Sequence, residues 1–214
     1  MQIFEVDQGS DEWRKLRTGK VTASVVEYVV APPLRSGGES AGRRNLRAKI
    51  IAETMTGQPT ECIFVSAAMK NGVENEPLAR AAYEIALGLT VNQIGFALHA
   101  SVERFGCSPD GLVGVDGLIE IKCPLPATHI SYMLAGIPAP EYVAQMQAQM
   151  SVTDREWCDF VSFCPSMPFR HQLFVRRLMR DDGYILGMES EIKIFLAEVD
   201  KTIESLDTIE VFTQ

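Results

Sequence analysis

The chain has 214 residues, 46% of them hydrophobic, and a formal net charge of −8. That is enough apolar material for one sizeable core and predicts a single domain over residues 1–214, and no apolar run approaches the roughly 18 residues of a membrane span. Five scattered cysteines with no Cys-x-x-Cys pair, and three histidines without ligand spacing, speak against a zinc site or an iron–sulfur cluster. Free, buried thiols in a reducing cytoplasm are expected instead. The opening Met1-Gln2-Ile3-Phe4-Glu5 lacks the basic-then-apolar pattern of a signal peptide. The charge is unevenly spread. Residues 13–49 carry nine Lys or Arg against Glu27 and Glu39, a balance of +7, whereas residues 181–214 carry two lysines against nine acids, a balance of −7. A basic front can bind phosphate locally despite the acidic total.

In chain order, Ser10 is placed to cap a helix over Asp11–Arg17, with acids in its first turn and Gly19 at its end. Thr22 caps a second helix running to about Val30. Arg17 and Ser24 then fall near the junction, a fork of donors and a hydroxyl suited to a terminal phosphate. Pro32 to Gly42 reads as a loop carrying Arg35. Residues 43–56 read as a basic amphipathic helix ending at Gly57. Ala67–Lys70 reads as a short helix or loop with Met69 near its tip. Glu74–Leu87 reads as a helix stopped by Gly88, with Pro77 in its first turn, Glu76 near its start, and Leu78, Ala81, Ala82 and Ile85 as its apolar stripe. Strands are predicted over Val91–His99, Val102–Gly106, Leu118–Lys122, Glu156–Phe163 and Gln172–Leu178. Residues 140–152 form a helix with Gln145 and Gln149 one turn apart. Residues 182–206 form an acidic helix with Ile185, Met188, Ile192, Phe195, Leu196, Val199 and Ile203 spaced for burial. Strands between helices at both ends predict an α/β sandwich around a mixed central sheet.

The chemistry concentrates in Gly106-Cys107-Ser108-Pro109-Asp110-Gly111 and in Leu118-Ile119-Glu120-Ile121-Lys122-Cys123-Pro124. Alternation along a strand puts Glu120 and Lys122 on one face, with Ile119 and Ile121 turned into a core. Asp-Gly favours hairpin turns. A three-residue loop Val115-Asp116-Gly117 pairs Gly114 with Leu118 and Asp110 with Lys122, so that Asp110, Glu120 and Lys122 converge. A two-residue loop at Asp116-Gly117 sends Asp110 to the wrong face. Two carboxylates and a lysine suit metal-assisted phosphodiester hydrolysis. The carboxylates hold Mg²⁺, and the lysine positions or deprotonates the attacking water and neutralises charge.

Five segments in order carry a resemblance. They are Glu-Trp-x-x-Leu-Arg-x-Gly-x-x-Thr-Ala-Ser from Glu12, Gly72-x-x-x-Glu76, Ser108-Pro109-Asp110-Gly111, Glu120-x-Lys122-Cys123-Pro124 and Gln145-Met146-Gln147. Together they resemble the phage lambda exonuclease and YqaJ-type viral recombination nucleases of the PD-(D/E)xK superfamily. The resemblance implies a restriction-endonuclease-like fold and a Mg²⁺-dependent, processive 5′-to-3′ exonuclease acting on double-stranded DNA ends. It implies two ions per site, with Mn²⁺ able to substitute. Asp110, Glu120 and the Ile121 carbonyl match metal ligands, Lys122 the catalytic lysine, and Glu76 a helical glutamate supporting a metal-bound water. Arg17, Ser24, Ser108 and Gln145 match a 5′-phosphate pocket, Arg35 a loop arginine tracking the duplex, and Met69 an apolar wedge between end base pairs. Gln149 stands where related nucleases carry a tyrosine. A ring-shaped homotrimer, a single-strand annealing partner and a phage or prophage origin in a bacterial cytoplasm are further implications. An endonuclease on the same fold, or a catalytically inactive DNA-binding protein, are the alternatives.

Overall fold

The computed structural model describes residues 1–35, 37–60 and 67–209, and for 67–69 the backbone alone. The elements are β1 Gln2–Phe4, α1 Asp11–Arg17, β2 Val21–Thr22, α2 Val26–Val30, α3 Ala41–Thr56, α4 Ala67–Leu87, β3 Val91–Asn92, β4 Phe96–Leu98, β5 Phe105–Cys107, β6 Gly111–Val113, β7 Gly117–Lys122, α5 Pro126–Ala135, α6 Pro140–Thr153, β8 Trp157–Phe163, β9 Leu173–Met179 and α7 Asp182–Asp207. A mixed five-stranded sheet runs β3-β6-β7-β8-β9. Its pairs are antiparallel except β7 with β8. That parallel pair needs a long crossover, which α5 and α6 supply.

A second sheet, β1-β4-β5-β2, was not expected. The stretch expected as one strand over Val91–His99 is split between the two sheets, β3 in one and β4 in the other. Gly95 at the break has no room for a side chain, since a Cβ there would lie 2.1 Å from the Val6 carbonyl oxygen.

Both faces of the five-stranded sheet are covered. Leu118, Cys158 and Phe160 pack with Met146, Met150, Ile192 and Phe195 on one side. Ile119, Ile121 and Val161 pack with Ala79 and Tyr83 on the other. The expectation of one core face is thereby corrected. β7 is buried on both sides, as strands flanked by crossover helices are, and the face that bears Glu120 carries a core of its own around Leu118.

The hairpin turn also differs from expectation. It occupies Gly114-Val115-Asp116, Gly114 takes the positive φ of 55°, and Val113 pairs with Gly117. Gly117 is a strand residue whose missing side chain makes room for Trp157; a Cβ would lie 2.0 Å from that ring. The register moves by two, and one further step brings Asp110 opposite Glu120 rather than Lys122. A displacement of two keeps the face, so the predicted convergence survives.

The helices bring further corrections. Ser10 and Ser40 cap α1 and α3 by accepting from the Trp13 and Arg43 amides. Thr22 makes no cap bond; its hydroxyl contacts Arg17 and Ser24 across a 3₁₀ turn at Ala23–Val25. α4 is continuous from Ala67, so Pro77 lies inside it, and its buried face is Ala79 and Tyr83, leaving Leu78 and Ile85 exposed. The Tyr83 hydroxyl decides this face, donating to buried Asp159 at 2.8 Å. α5 was not anticipated. α7 buries its predicted stripe, with Ile203 partly covered. Cys107, Cys123, Cys158 and Cys164 are free and buried, while Cys62 lies outside the described residues.

Candidate active site

Asp110 follows Pro109 in the turn between the two sheets. Its Oδ2 accepts the Ile121 amide at 2.6 Å, which ties the turn across to β7. Glu120 is 1% exposed. Its Oε1 accepts from Lys122 Nζ at 2.5 Å and from Gln145 Nε2 at 2.7 Å, and its Oε2 accepts from Gln149 Nε2 at 2.6 Å. A buried carboxylate with donors on both oxygens is held in one orientation. The Lys122 ammonium also lies 4.8 Å over the Tyr142 ring, which stacks on Phe160.

The electrostatics follow from crowding. Burial pushes the Asp110 carboxyl well above the ordinary range, and the charges of Glu120 and Glu76 push the same way, against Lys122 and the Ile121 amide. Burial draws Lys122 down, but Glu120 and Asp110 outweigh it and hold the ammonium above its usual pKa. Burial, then Glu76 and Asp110, raise the Cys123 thiol to about 12, so it is protonated and no nucleophile. Glu76 sits on α4 with its Oε1 2.5 Å from Arg80. α4 is docked beside the site by Asn71, whose amide donates to the Cys123 carbonyl at 2.8 Å.

A second group meets the same turn at Ser108. Trp13 Nε1 donates to Ser108 Oγ at 2.8 Å, and the Arg17 guanidinium stacks 4.2 Å from the Trp13 ring centroid. Arg17 reaches Ser108 Oγ at 3.3 Å, Thr22 Oγ1 at 3.4 Å and Ser24 Oγ at 3.5 Å. Burial pulls its pKa down to about 10, opposed by Cys107 and Glu53. Among the described residues no carboxylate lies within ion-pair distance of it. Ser108 and Asp110 are two residues apart, so this cationic nest adjoins the carboxylates.

Gln145 is not in the nest; its amide is on Glu120. Arg35 is exposed in the loop before α3 and, among the described residues, bonds to neither group. The Met69 side chain lies outside the described residues. Trp13, Thr22, Asn71 and Tyr142 were not expected as site residues from the sequence. For Trp13 a signal was present, since its spacing from Arg17 is one helical turn.

Among the described residues no three His, Cys, Asp or Glu side chains gather as a ligand cluster. The available side-chain oxygens are those of the two carboxylates, Asp110 and Glu120. An oxygen-only set this small suits a hard cation that keeps several waters, and the crowding that raises Asp110 is what a cation relieves.

The description "YqaJ-like viral recombinase domain" matches residues 12–156, more than half of the chain. The chain belongs to the YqaJ-like viral recombinase family. Among solved structures, this family member is similar to an alkaline exonuclease, LHK-Exo, from Laribacter hongkongensis. Identity is 45%, coverage is 92% of this chain and 96% of that one, and the TM-score is 0.85; the complex of that protein with dAMP matches equally. It also shares its fold with a phage related exonuclease from Haemophilus somnus 129PT, at 15% identity, a TM-score of 0.70, and coverage of 90% and 99%. No match was found among curated proteins. The matches to both structural relatives cover 90% or more of this chain, and the expected α/β fold, mixed sheets flanked by helices, holds.

Proposed function

We propose that this chain is a Mg²⁺-dependent exonuclease that digests one strand of duplex DNA from its 5′ end, releasing mononucleotides and leaving 3′ overhangs for recombination. The observation that carries the reading is Arg17: half-buried, stacked on Trp13, ringed by hydroxyls and without a carboxylate partner among the described residues, and bonded to Ser108 on the turn that ends in Asp110. An arginine so placed calls for an anion, and phosphate fits its fork. The likeness to an alkaline exonuclease, also seen with dAMP, supports the same class of substrate and product.

In this reading Arg17, Ser24 and Ser108 hold the terminal 5′-phosphate, and Gln145 borders it from the carboxylate side. Asp110, Glu120 and the Ile121 carbonyl would hold Mg²⁺, which supplies charge neutralisation at the phosphate and acidifies bound water. Mn²⁺ is expected to substitute, and two ions per site are proposed. Lys122, kept charged by Glu120, donates to the attacking water and to the phosphate as negative charge grows there. Glu76, beside Asp110, supports the water shell. Arg35 and Met69 are proposed to meet the duplex and its end base pair. Exposed Val73, Leu78, Ile85, Leu134 and Ile137 offer apolar surface for a homotrimeric ring and for an annealing partner in a bacterial cytoplasm. Among the described residues no helix is long and apolar enough to cross a membrane.

The test is a digest of linear duplex with 5′-phosphate or 5′-hydroxyl ends, and of closed circles, with Mg²⁺ or with chelator. Rapid release of mononucleotides from 5′-phosphorylated linear DNA alone, stopped by chelator, is expected. Cutting of closed circles would replace this reading with an endonuclease.

A further inference from the structure

The two glutamines that α6 directs at Glu120 are not equivalent. Gln145 is half-buried and shares Oε1 with Lys122, itself partly exposed. Gln149 is 1% exposed and serves Oε2 alone. Its side-chain carbonyl faces the buried Cys158 thiol at 3.9 Å, so the oxygen and the nitrogen of the amide each have a partner and one orientation is selected. Below it, the Thr153 hydroxyl closes on the Gln149 backbone carbonyl at 2.7 Å. The Oε1 edge is therefore the accessible one, and the Oε2 edge is sealed.

Resting on the reading of Asp110 and Glu120 as the cation-binding pair, we propose that Gln149 is a positioning residue for the cation. It pins Oε2 into the protein, fixes the carboxylate plane, and leaves the Oε1 edge to meet the ion. Neither partner on that edge is sealed in, and both can yield to a cation. Without the Gln149 donor the carboxylate can turn, and the ion loses a fixed ligand while the fold keeps its helix. Partners that orient metal ligands from behind typically govern affinity by about 10- to 100-fold.

The experiment compares wild type with Gln149→Met, which keeps length and removes the donor. Gln149→Asn, too short to reach Oε2, serves as a second variant if the first does not fold. Mn²⁺ binding is read by electron paramagnetic resonance without DNA, alongside the Mg²⁺ dependence of digestion and the metal-free melting temperature. Expected are Mn²⁺ binding weaker by about 10-fold or more, a parallel rise in the Mg²⁺ midpoint, and turnover largely restored at saturating Mg²⁺. Wild-type Mn²⁺ affinity in a folded variant overturns the proposal and leaves the nuclease reading intact. A wild type that neither binds Mn²⁺ nor digests DNA overturns both.

Discussion

At the scale of single residues, the site opposes stability to function most clearly at Asp110. Its raised carboxyl pKa means that the folded state favours the neutral form. Below the unfolded value near 3.9 the group costs nothing, and the penalty grows as pH rises toward the folded value. Asp110→Asn is therefore expected to raise the melting temperature at pH 7 and to leave it unchanged near pH 3, while abolishing cutting. A lower melting temperature at pH 7 would mean that the Ile121 amide bond outweighs the crowding. Arg17 gives a second prediction. Small misplacement of a substrate costs on the order of 100-fold in rate, so Arg17→Ala should slow digestion by about that much on 5′-phosphorylated ends. It should add little on 5′-hydroxyl ends, because one contact cannot be lost twice. Equal slowing on both kinds of end, measured by nucleotide release, would assign Arg17 to the fold instead. Much of this site was legible from spacing. Glu120 and Lys122 needed only strand alternation, and Arg17 and Ser24 needed only a helix junction. Gln149 was not legible as a partner of Glu120, because nothing local distinguishes a glutamine on a solvated face from one buried against a strand.

At the scale of elements, the hairpin β6–β7 positions the carboxylates, and a glycine sets its geometry. The turn signal Asp-Gly was readable, but it pointed to Gly117 as a turn residue. The Trp157 ring, forty residues on, claims the space beside Gly117 and moves the turn to Gly114. Such a contact belongs to tertiary packing and is invisible to turn chemistry. The α4 stripe was misread for the same reason. Leu78 and Ile85 have the right spacing, but the Tyr83–Asp159 bond turns the helix the other way. The long amphipathic helix α7 was legible because its period extends over many turns. Gly117→Ala is expected to drive its methyl into Trp157. Overpacking of this kind costs about 1–3 kcal/mol, and the shift should pass along β7 to Glu120. Urea denaturation should show the loss, and digestion should fall with it at saturating Mg²⁺. A variant as stable as the parent would show that the Trp157 ring moves freely.

At the scale of the whole molecule, the charge asymmetry takes a form that the totals did not disclose. Part of the basic front is consumed internally. Arg43 reaches Glu198 at 2.6 and 3.1 Å, and Arg47 bridges Glu39 and Glu198; outside that front, Arg104 holds Asp200 at 2.6 Å. The hydrogen bonds with Arg43 draw Glu198 below its ordinary pKa, and those with Glu198 raise Arg43. α7 thus lies against α2 and α3 on its buried stripe, with its acids paired to arginines, turned to solvent or, for Glu189, bonded to Ser151 and His99. The cations left for phosphate include Arg17, in the nest beside Asp110. If DNA enters there, the solvent-facing Glu191, Glu204 and Asp207 lie away from it, and their field decays within roughly 8 Å at physiological salt. A combined Glu191→Gln, Glu204→Gln and Asp207→Asn variant should then change DNA affinity by no more than about twofold at physiological salt. A larger gain should appear only as salt is lowered and screening weakens. Fluorescence anisotropy of labelled duplex across a salt series, in Ca²⁺ to prevent cutting, measures both. An affinity gain of tenfold at physiological salt would place α7 within a Debye length of the duplex. The path of the DNA over the molecule would then have to be drawn along the acidic helix and not past Arg17.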